Sequence, residues 1–282
     1  MTISKKNARR AAGKANARIA KGSLFDAVER LDLAEVERLL AAGVSPNERW
    51  PEKYRGTALH TACCGNCEAS LAIVKALLAA GADIDAIERD NRETPLHFAV
   101  DADGSDDWRI VRHLLRSKAK VNLCNRDGLT PAELASCLEH SSSAVIAMLD
   151  EGMPVETRGT VGTLLWYCSY DSYDLVVELA NRGADIESGD TFDGQTPLSR
   201  ACEALSSKDS FDEQEPAWKI VCFLLDRGAD RHCVDKYGNR PPNIDMLFDR
   251  YQSKKQMAEM LAGIPDPKKK SNRPDFYSPP EN

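Results

Sequence analysis

No stretch of this 282-residue chain approaches the roughly 20 consecutive apolar residues that a membrane-spanning helix needs, and its first residues lack the apolar core of a secretory signal. A soluble, cytoplasmic protein outside the general secretory route is therefore expected. Also missing are a glycine-rich phosphate loop, a nucleophile elbow and a histidine pair at metal-ligand spacing. These absences remove the usual signatures of nucleotide-binding proteins, serine hydrolases and zinc enzymes, so no catalytic residue, metal or cofactor is expected. Aromatic residues make up only 6% of the chain, so each cluster of them is informative. Acidic residues are absent from positions 1–22, which carry seven basic ones. Cysteine is not scarce, but nine is an odd count, and without secretory context it predicts reduced thiols rather than a disulfide framework.

What the chain does have is internal repetition. The phrase Thr94-Pro95-Leu96-His97-Phe98-Ala99 reads as a helix start, with a capping hydroxyl, a proline at the first helical position, and Leu96 and Ala99 on one face. Gly81 follows the apolar run Leu71, Ile73, Val74, Leu77, Leu78 and suits the left-handed residue that ends a helix. The helix-start threonines recur at Thr57, Thr94, Thr130, Thr163 and Thr196, spaced 37, 36, 33 and 33 residues apart. Turn glycines run in parallel at Gly43, Gly81, Gly152, Gly183 and Gly228, with Ser117-Lys118-Ala119 in place of Gly-Ala-Asp in one unit. Together, these phrases resemble the ankyrin repeat, whose period is about 33 residues. The resemblance implies an all-α solenoid of about seven helix-turn-helix units with β-turn fingers, over 23–263. A basic segment, 1–22, precedes it, and a disordered proline-containing tail, 264–282, follows.

Within the array, unit one reads as an N-terminal cap. Ser23 and Asp26 stand in capping positions, with Leu24, Phe25, Val28 and Leu31 as its buried stripe, and Asp32 with Glu35 form a second capping box. The last unit, ending on Met257, Met260 and Leu261, reads as the C-terminal cap. The resemblance gives His60 and His97 a structural role, bonding neighbouring repeats. Their replacement by Glu133, Trp166 and Ser199 in units four to six is expected to loosen those junctions. Cys63, Cys168 and Cys202 stand where the repeat has a small buried residue. The cluster Cys63-Cys64-Gly65-Asn66-Cys67, with His60 near, offers a zinc reading, against which no second Cys or His pair follows at ligand spacing.

Charge is divided. Removing the seven positive charges of the first segment and the net +1 of the tail from the overall −7 leaves −15 on the body. Such a body repels nucleic acid and membrane surfaces and attracts a basic protein. Three units exceed the family's cap-to-glycine spacing of about 21: Thr57 to Gly81 (24), Thr94 to Lys118 (24) and Thr196 to Gly228 (32). The extra residues fall between the two helices of a unit, where insertion loops line one edge. Two are acidic: Asp101, Asp103, Asp106 and Asp107 in one, and Glu203, Asp209, Asp212, Glu213 and Glu215 between Cys202 and Trp218. The first offers a calcium reading, but the twelve-residue loop with its closing glutamate is missing.

A second surface is implied by the resemblance, the groove of fingers and first helices. Its positions map to Tyr54, Asp90, Asn91 and Glu93, Asp101, Arg126 and Asp127, Tyr170, Phe192 and Asp193, Glu203 and Tyr237, and Trp50, on the same longer finger as Tyr54, is a further expected partner contact. In Trp166-Tyr167-Cys168-Ser169-Tyr170-Asp171-Ser172-Tyr173, Trp166 and Tyr167 are expected in the core, whereas Tyr170 and Phe192 are expected exposed as interface anchors.

The sequence thus predicts a non-enzymatic, monomeric protein-binding scaffold, an inhibitor or adaptor of the immunity type, holding a basic partner in its groove and along its acidic edge. Alternatives left open are a secreted effector that binds a foreign host protein, a scaffold that masks itself with its basic arm, and a nucleic-acid-associated protein using that arm.

Overall fold

The computed structural model describes residues 24–49, 56–65, 67–102, 108–138, 142–207 and 211–262, the side chains of 211–214 and 257–262 excepted. Among the described residues there are thirteen α-helices and no strand beyond isolated bridges at Arg49–Thr57 and Arg158–Thr163. Ser23, Trp50, Tyr54, Asp103, Asp106, Asp107 and Asp209 lie outside them, as do the 1–22 segment and the 264–282 tail. Of α12, the side chains of Asp212 and Glu213 are likewise outside.

The first compact body runs to Pro242. It holds α1 (residues 24–29), α2 (Leu33–Ala41), α3 (Ala58–Cys63), α4 (Glu68–Ala79), α5 (Pro95–Asp101), α6 (Arg109–Arg116), α7 (Pro131–Cys137), α8 (Ser142–Asp150), α9 (Leu164–Cys168), α10 (Tyr173–Asn181), α11 (Pro197–Ser207) and α12 (Phe211–Asp226). Each odd helix from α3 packs on the helix that follows it, α3 on α4 through α11 on α12. Odd helices also stack on odd (α3, α5, α7, α9, α11) and even on even (α2 through α12). That is a two-layer repeat array. Its core is the line of fully buried leucines, Leu59, Leu77, Leu96, Leu114, Leu164, Leu179 and Leu198, each contributing about 1.5–3 kcal/mol on burial. The second body begins at Asn243, and its described part is one helix, α13 (Ile244–Ala262).

The helix starts form as the threonines predict, and they explain the histidines. The Thr57 N–H and hydroxyl reach His60 Nδ1 at 3.0 and 2.9 Å, and Thr94 does the same to His97 Nδ1 at 3.1 and 2.9 Å. With Nδ1 accepting, the neutral ring carries its proton on Nε2. Nε2 then donates into the next unit, to Glu93 O (3.3 Å) and to Leu129 O (3.1 Å). Burial holds the pKa of His60 down at about 4 and lowers that of His97 as well.

Glu133 does not loosen unit four as the missing histidine suggests. Its Oε2 accepts from the Thr130 N–H and hydroxyl (2.7 and 2.9 Å), and its Oε1 from the Gly159 N–H of the next unit at 2.6 Å. The carboxylate reverses the polarity of the link, so unit five offers an N–H where earlier units offer a carbonyl. In unit five the Trp166 indole makes no such bond, and Thr163 Oγ1 instead donates to Ser188 O at 2.9 Å. In unit six Thr196 Oγ1 meets Cys233 Sγ at 3.2 Å.

Three further expectations are corrected. Leu31 is exposed in a left-handed turn (φ +58°) rather than part of the buried stripe, because α1 ends at residue 29 and the turn after it frees Asp32 as the cap of α2. Asp32 Oδ1 accepts the Glu35 N–H at 3.1 Å as the cap predicts, but the Glu35 carboxylate does not return the bond and is bidentate to Arg38 at 2.6 and 2.7 Å. The long acidic insertion of unit six is mostly helix. α11 runs on to Ser207 because Ala201, Cys202, Ala204 and Leu205 continue its apolar face, and α12 then takes up Phe211–Asp226.

Candidate protein-binding surface

Four fingers carry many of the predicted surface residues, and each of these four is organised by one side chain that stands outside the predicted set. Glu88 accepts the N–H groups of Asp90 (2.7 Å), Asn91 and Glu93 (3.3 Å). Asn125 takes those of Asp127 and Leu129, both at 3.0 Å. Asp190 takes those of Phe192, Asp193 and Gln195 at 2.6–2.8 Å. Asp235 takes those of Tyr237 and Asn239. The signal was available: an acid or amide five or six residues before the helix start, where turn backbone needs an acceptor. Consecutive fingers are then tied together, Arg126 N–H to Asn91 O (2.6 Å), Thr160 N–H to Gly128 O (2.9 Å), Thr191 N–H to Val161 O (2.6 Å) and Lys236 N–H to Asp193 O (2.7 Å).

On that frame the predicted residues fall into two groups. The acidic group lies at units three and four. Glu93 is half-buried, and its carboxyl is pushed above the usual range by burial first, then by the charges of Glu88, Asp101 and Asp127. Asp101 ends α5 and is exposed, as are Asp90, Arg126 and Asp127 on the fingers. The Cys64 thiol, pushed up to about 11 by burial, also feels Asp101 and Glu93. Glu93 and Cys64 thus share one acidic neighbourhood, in which Asp101 acts on both.

The second group, at units five to seven, is aromatic, and three of its described carboxylates are matched by cations of the same chain. Glu203 pairs with Arg200 (3.0 Å), Glu215 with Lys219 (3.0 Å) and Asp193 with Lys236 (3.1 Å). Of the five carboxylates expected from Cys202 to Trp218, Glu203 and Glu215 are thus paired within the chain, and Asp209 and the side chains of Asp212 and Glu213 lie outside the described residues. Phe192 is 59% exposed at its finger tip and Tyr237 is 68% exposed on the next. Tyr170 departs from expectation: it is half-buried, its hydroxyl 2.9 Å from Ser207 Oγ. Arg200, which the sequence reading missed, lies across its ring at 4.7 Å and across Trp166 at 4.6 Å. This cation-on-ring stack fixes both aromatics. Trp166 is buried as predicted, and Tyr167 is half-buried edge-on against it.

At the N-terminal end of the array, Phe25, Gly56, His60, Thr61, Cys64 and Phe98 line a largely apolar cavity of about 190 Å³. No three His, Cys, Asp or Glu side chains come together to hold a metal ion among the described residues, and no described helix is long and apolar enough to cross a membrane.

The comparisons agree with this architecture. The pattern described as "Ankyrin repeats (3 copies)" matches residues 24–107, and "Ankyrin repeat" matches 91–126. The human B-cell lymphoma 3 protein is 31% identical over 178 residues, 61% of this chain and 38% of that protein. The ankyrin repeat protein B18 of variola virus is 25% identical over 195 residues, 62% of this chain and 34% of that protein. This chain therefore spans well under half the length of these relatives. Among solved structures, the ankyrin repeat domain of Bcl-3, "a unique member of the IkappaB protein family", superposes with a TM-score of 0.65 at 22% identity, covering 81% of this chain and 97% of that domain. The human ASB11 ankyrin repeat domain gives 0.60 at 22% identity, over 80% and 96%. With the capped helix starts, the turn glycines and the two-layer stacking already in place, the conclusion is that this chain folds as an ankyrin-repeat solenoid, its repeat pattern matched over residues 24–126.

Proposed function

We propose that this scaffold is a non-enzymatic, cytoplasmic inhibitor or adaptor, acting as a monomer, that binds a partner protein with a basic surface. The observation that carries the reading is Glu93, whose carboxyl is raised first by burial and then by the charges of Glu88, Asp101 and Asp127 around it. Like charges held this close are unfavourable in the free protein, and a partner's lysine or arginine relieves them. Phe192 and Tyr237 supply apolar contacts farther along the same fingers, on backbone already fixed by Asp190 and Asp235. The partner thus meets a division of labour, charge at units three and four and aromatic area at units six and seven. Likeness to the Bcl-3 domain supports the scaffold and leaves the partner to be found by experiment.

The test is capture of partners from the native cell lysate at about 50 and about 500 mM salt, a range that shortens the screening length several-fold. We expect a basic protein retained at low salt, lost at high salt, and lost with Glu93→Gln/Asp127→Asn. Retention indifferent to salt and to that variant would overturn the reading.

A second reading, self-masking by the basic segment, is favoured by position. Residues 1–22 lead directly into α1, whose Phe25 and Glu29 line the cavity beside His60. A chain lacking residues 1–22 is expected to bind the partner more tightly if the segment competes for the groove, and unchanged affinity removes that reading.

A further inference from the structure

We propose that Cys64 and Cys67, in the connection between α3 and α4, form a peroxide-reactive dithiol in which Cys67 attacks and Cys64 resolves. Nothing in the scaffold reading calls for it, and it stands or falls separately.

The nine cysteines are all free thiols. Cys63, Cys168 and Cys202 are buried. Burial pushes their thiols up, and does the same to Cys124 and Cys137, so all five stay protonated and unreactive. Cys67 is built differently. It is exposed, it is the N-cap residue of the 12-residue α4, and its sulfur lies 3.2 Å from the hydroxyl of Ser70. Ser70 is fully buried, so its hydroxyl is held in place under the sulfur. That hydroxyl, and then the N–H groups of Ser70 and Ala69, hold the thiol below the usual cysteine range. A side-chain carbon at Gly65 would collide with the same hydroxyl, so the connection packs down onto Ser70 only because residue 65 is glycine.

Cys64 is the complement. It is the C-cap residue of α3, exposed, three positions before Cys67, and its S–H donates to His60 O at 3.5 Å. Although the residue as a whole is exposed, its thiol is pushed up to about 11 by burial first and then by the charges of Asp101 and Glu93, so it stays protonated at neutral pH and does not compete as the first nucleophile. The two roles are therefore already separated by their surroundings.

The step balances. The Cys67 thiolate attacks one oxygen of hydrogen peroxide; an S–O bond forms, the O–O bond breaks, and hydroxide leaves to become water on taking up a proton. Cys67 is now a sulfenic acid, oxidised by two electrons as the peroxide is reduced. Cys64 then attacks the Cys67 sulfur; an S–S bond forms, the S–O bond breaks, and the hydroxyl leaves as water with the Cys64 proton. A dithiol reductant reverses the disulfide.

The experiment treats the reduced full-length protein with hydrogen peroxide, with and without dimedone, and maps thiols by peptide mass spectrometry. We expect the peptide holding both residues to lose two hydrogens and regain them with dithiothreitol. In Cys64→Ser we expect a dimedone adduct to accumulate on Cys67 in place of the disulfide, and in Cys67→Ser we expect Cys64 to stay reduced. Oxidation of Cys67 no faster than that of Cys124 or Cys137, or a disulfide that persists in Cys64→Ser through Cys63, would overturn the assignment. Alkylation of the wild type by iodoacetamide against pH needs no variant. Cys67 is expected to reach half its maximal rate at lower pH than Cys64, and the reverse order would equally overturn it.

Discussion

The histidine positions show how one side chain sets the behaviour of a junction. His60 is buried, neutral and committed on both nitrogens, and protonating Nδ1 sets a charged donor against the Thr57 N–H it now accepts from. Its pKa falls from 6.5 to about 4 on folding, so the folded state binds fewer protons than the unfolded chain across that interval. The stability it confers is complete above pH 6.5 and is lost as pH falls toward 4, a loss of about 3 kcal/mol from this group. Urea midpoints between pH 7 and pH 4 should show the decline, and His60→Gln should flatten it. Unit four gives a sharper result. Restoring the repeat's usual residue, Glu133→His, would set Nε2–H against the Gly159 N–H, two donors face to face. We expect that variant to lose about 1–3 kcal/mol, the cost of an unmet buried donor, although it moves the sequence toward its own repeat pattern. A urea midpoint equal to that of the wild type would contradict the polarity reversal.

At the scale of the element, helix starts and helix ends were written plainly in the sequence, because capping needs a hydroxyl at one position and a left-handed residue at another. Five turn glycines have φ between +88° and +93°, as their spacing implied. Lys118 takes the same turn at φ +70° with a side carbon attached. Lys118→Gly is expected to raise stability by about 1 kcal/mol, read as a shift in thermal or urea midpoint, and no gain would mean the turn is not strained. Legibility ended where a rule about one position met its neighbours. Leu31 was assigned inward by spacing, yet the cap at Asp32 claims the chain first. Glu203 was read as loop because family length was exceeded, yet the apolar spacing of Cys202 and Leu205 carries α11 through it. Arg200 could not be found as a site residue, since its role depends on Trp166 and Tyr170 being a helix pair away. Arg200→Ala removes both ring contacts. It should raise the exposure of Tyr170 and, through the Trp166 packing, lower stability by about 1–2 kcal/mol, to be checked by tyrosine and tryptophan fluorescence across a urea series.

For the whole molecule, net charge was legible but its distribution was not. The body's −15 gave an acidic surface without saying where its carboxylates are matched: Asp193, Glu203 and Glu215 pair with Lys236, Arg200 and Lys219, whereas Glu93 stands among Glu88, Asp101 and Asp127. A raised carboxyl takes up a proton as pH falls, and a basic partner opposes that uptake. Partner affinity should therefore rise with pH through the titration of Glu93 and level off above it. The central claim, that charge around Glu93 holds the partner, is tested most directly by the salt dependence of partner affinity. It should be measured for the wild type and for Glu93→Gln/Asp127→Asn, with Phe192→Ala as a neutral comparison. The account predicts a steep fall in wild-type affinity with salt, a clearly shallower fall for the acidic-site variant, and an unchanged slope at lower overall affinity for Phe192→Ala. Equal slopes for the wild type and the acidic-site variant would contradict it and move the binding surface elsewhere on the array.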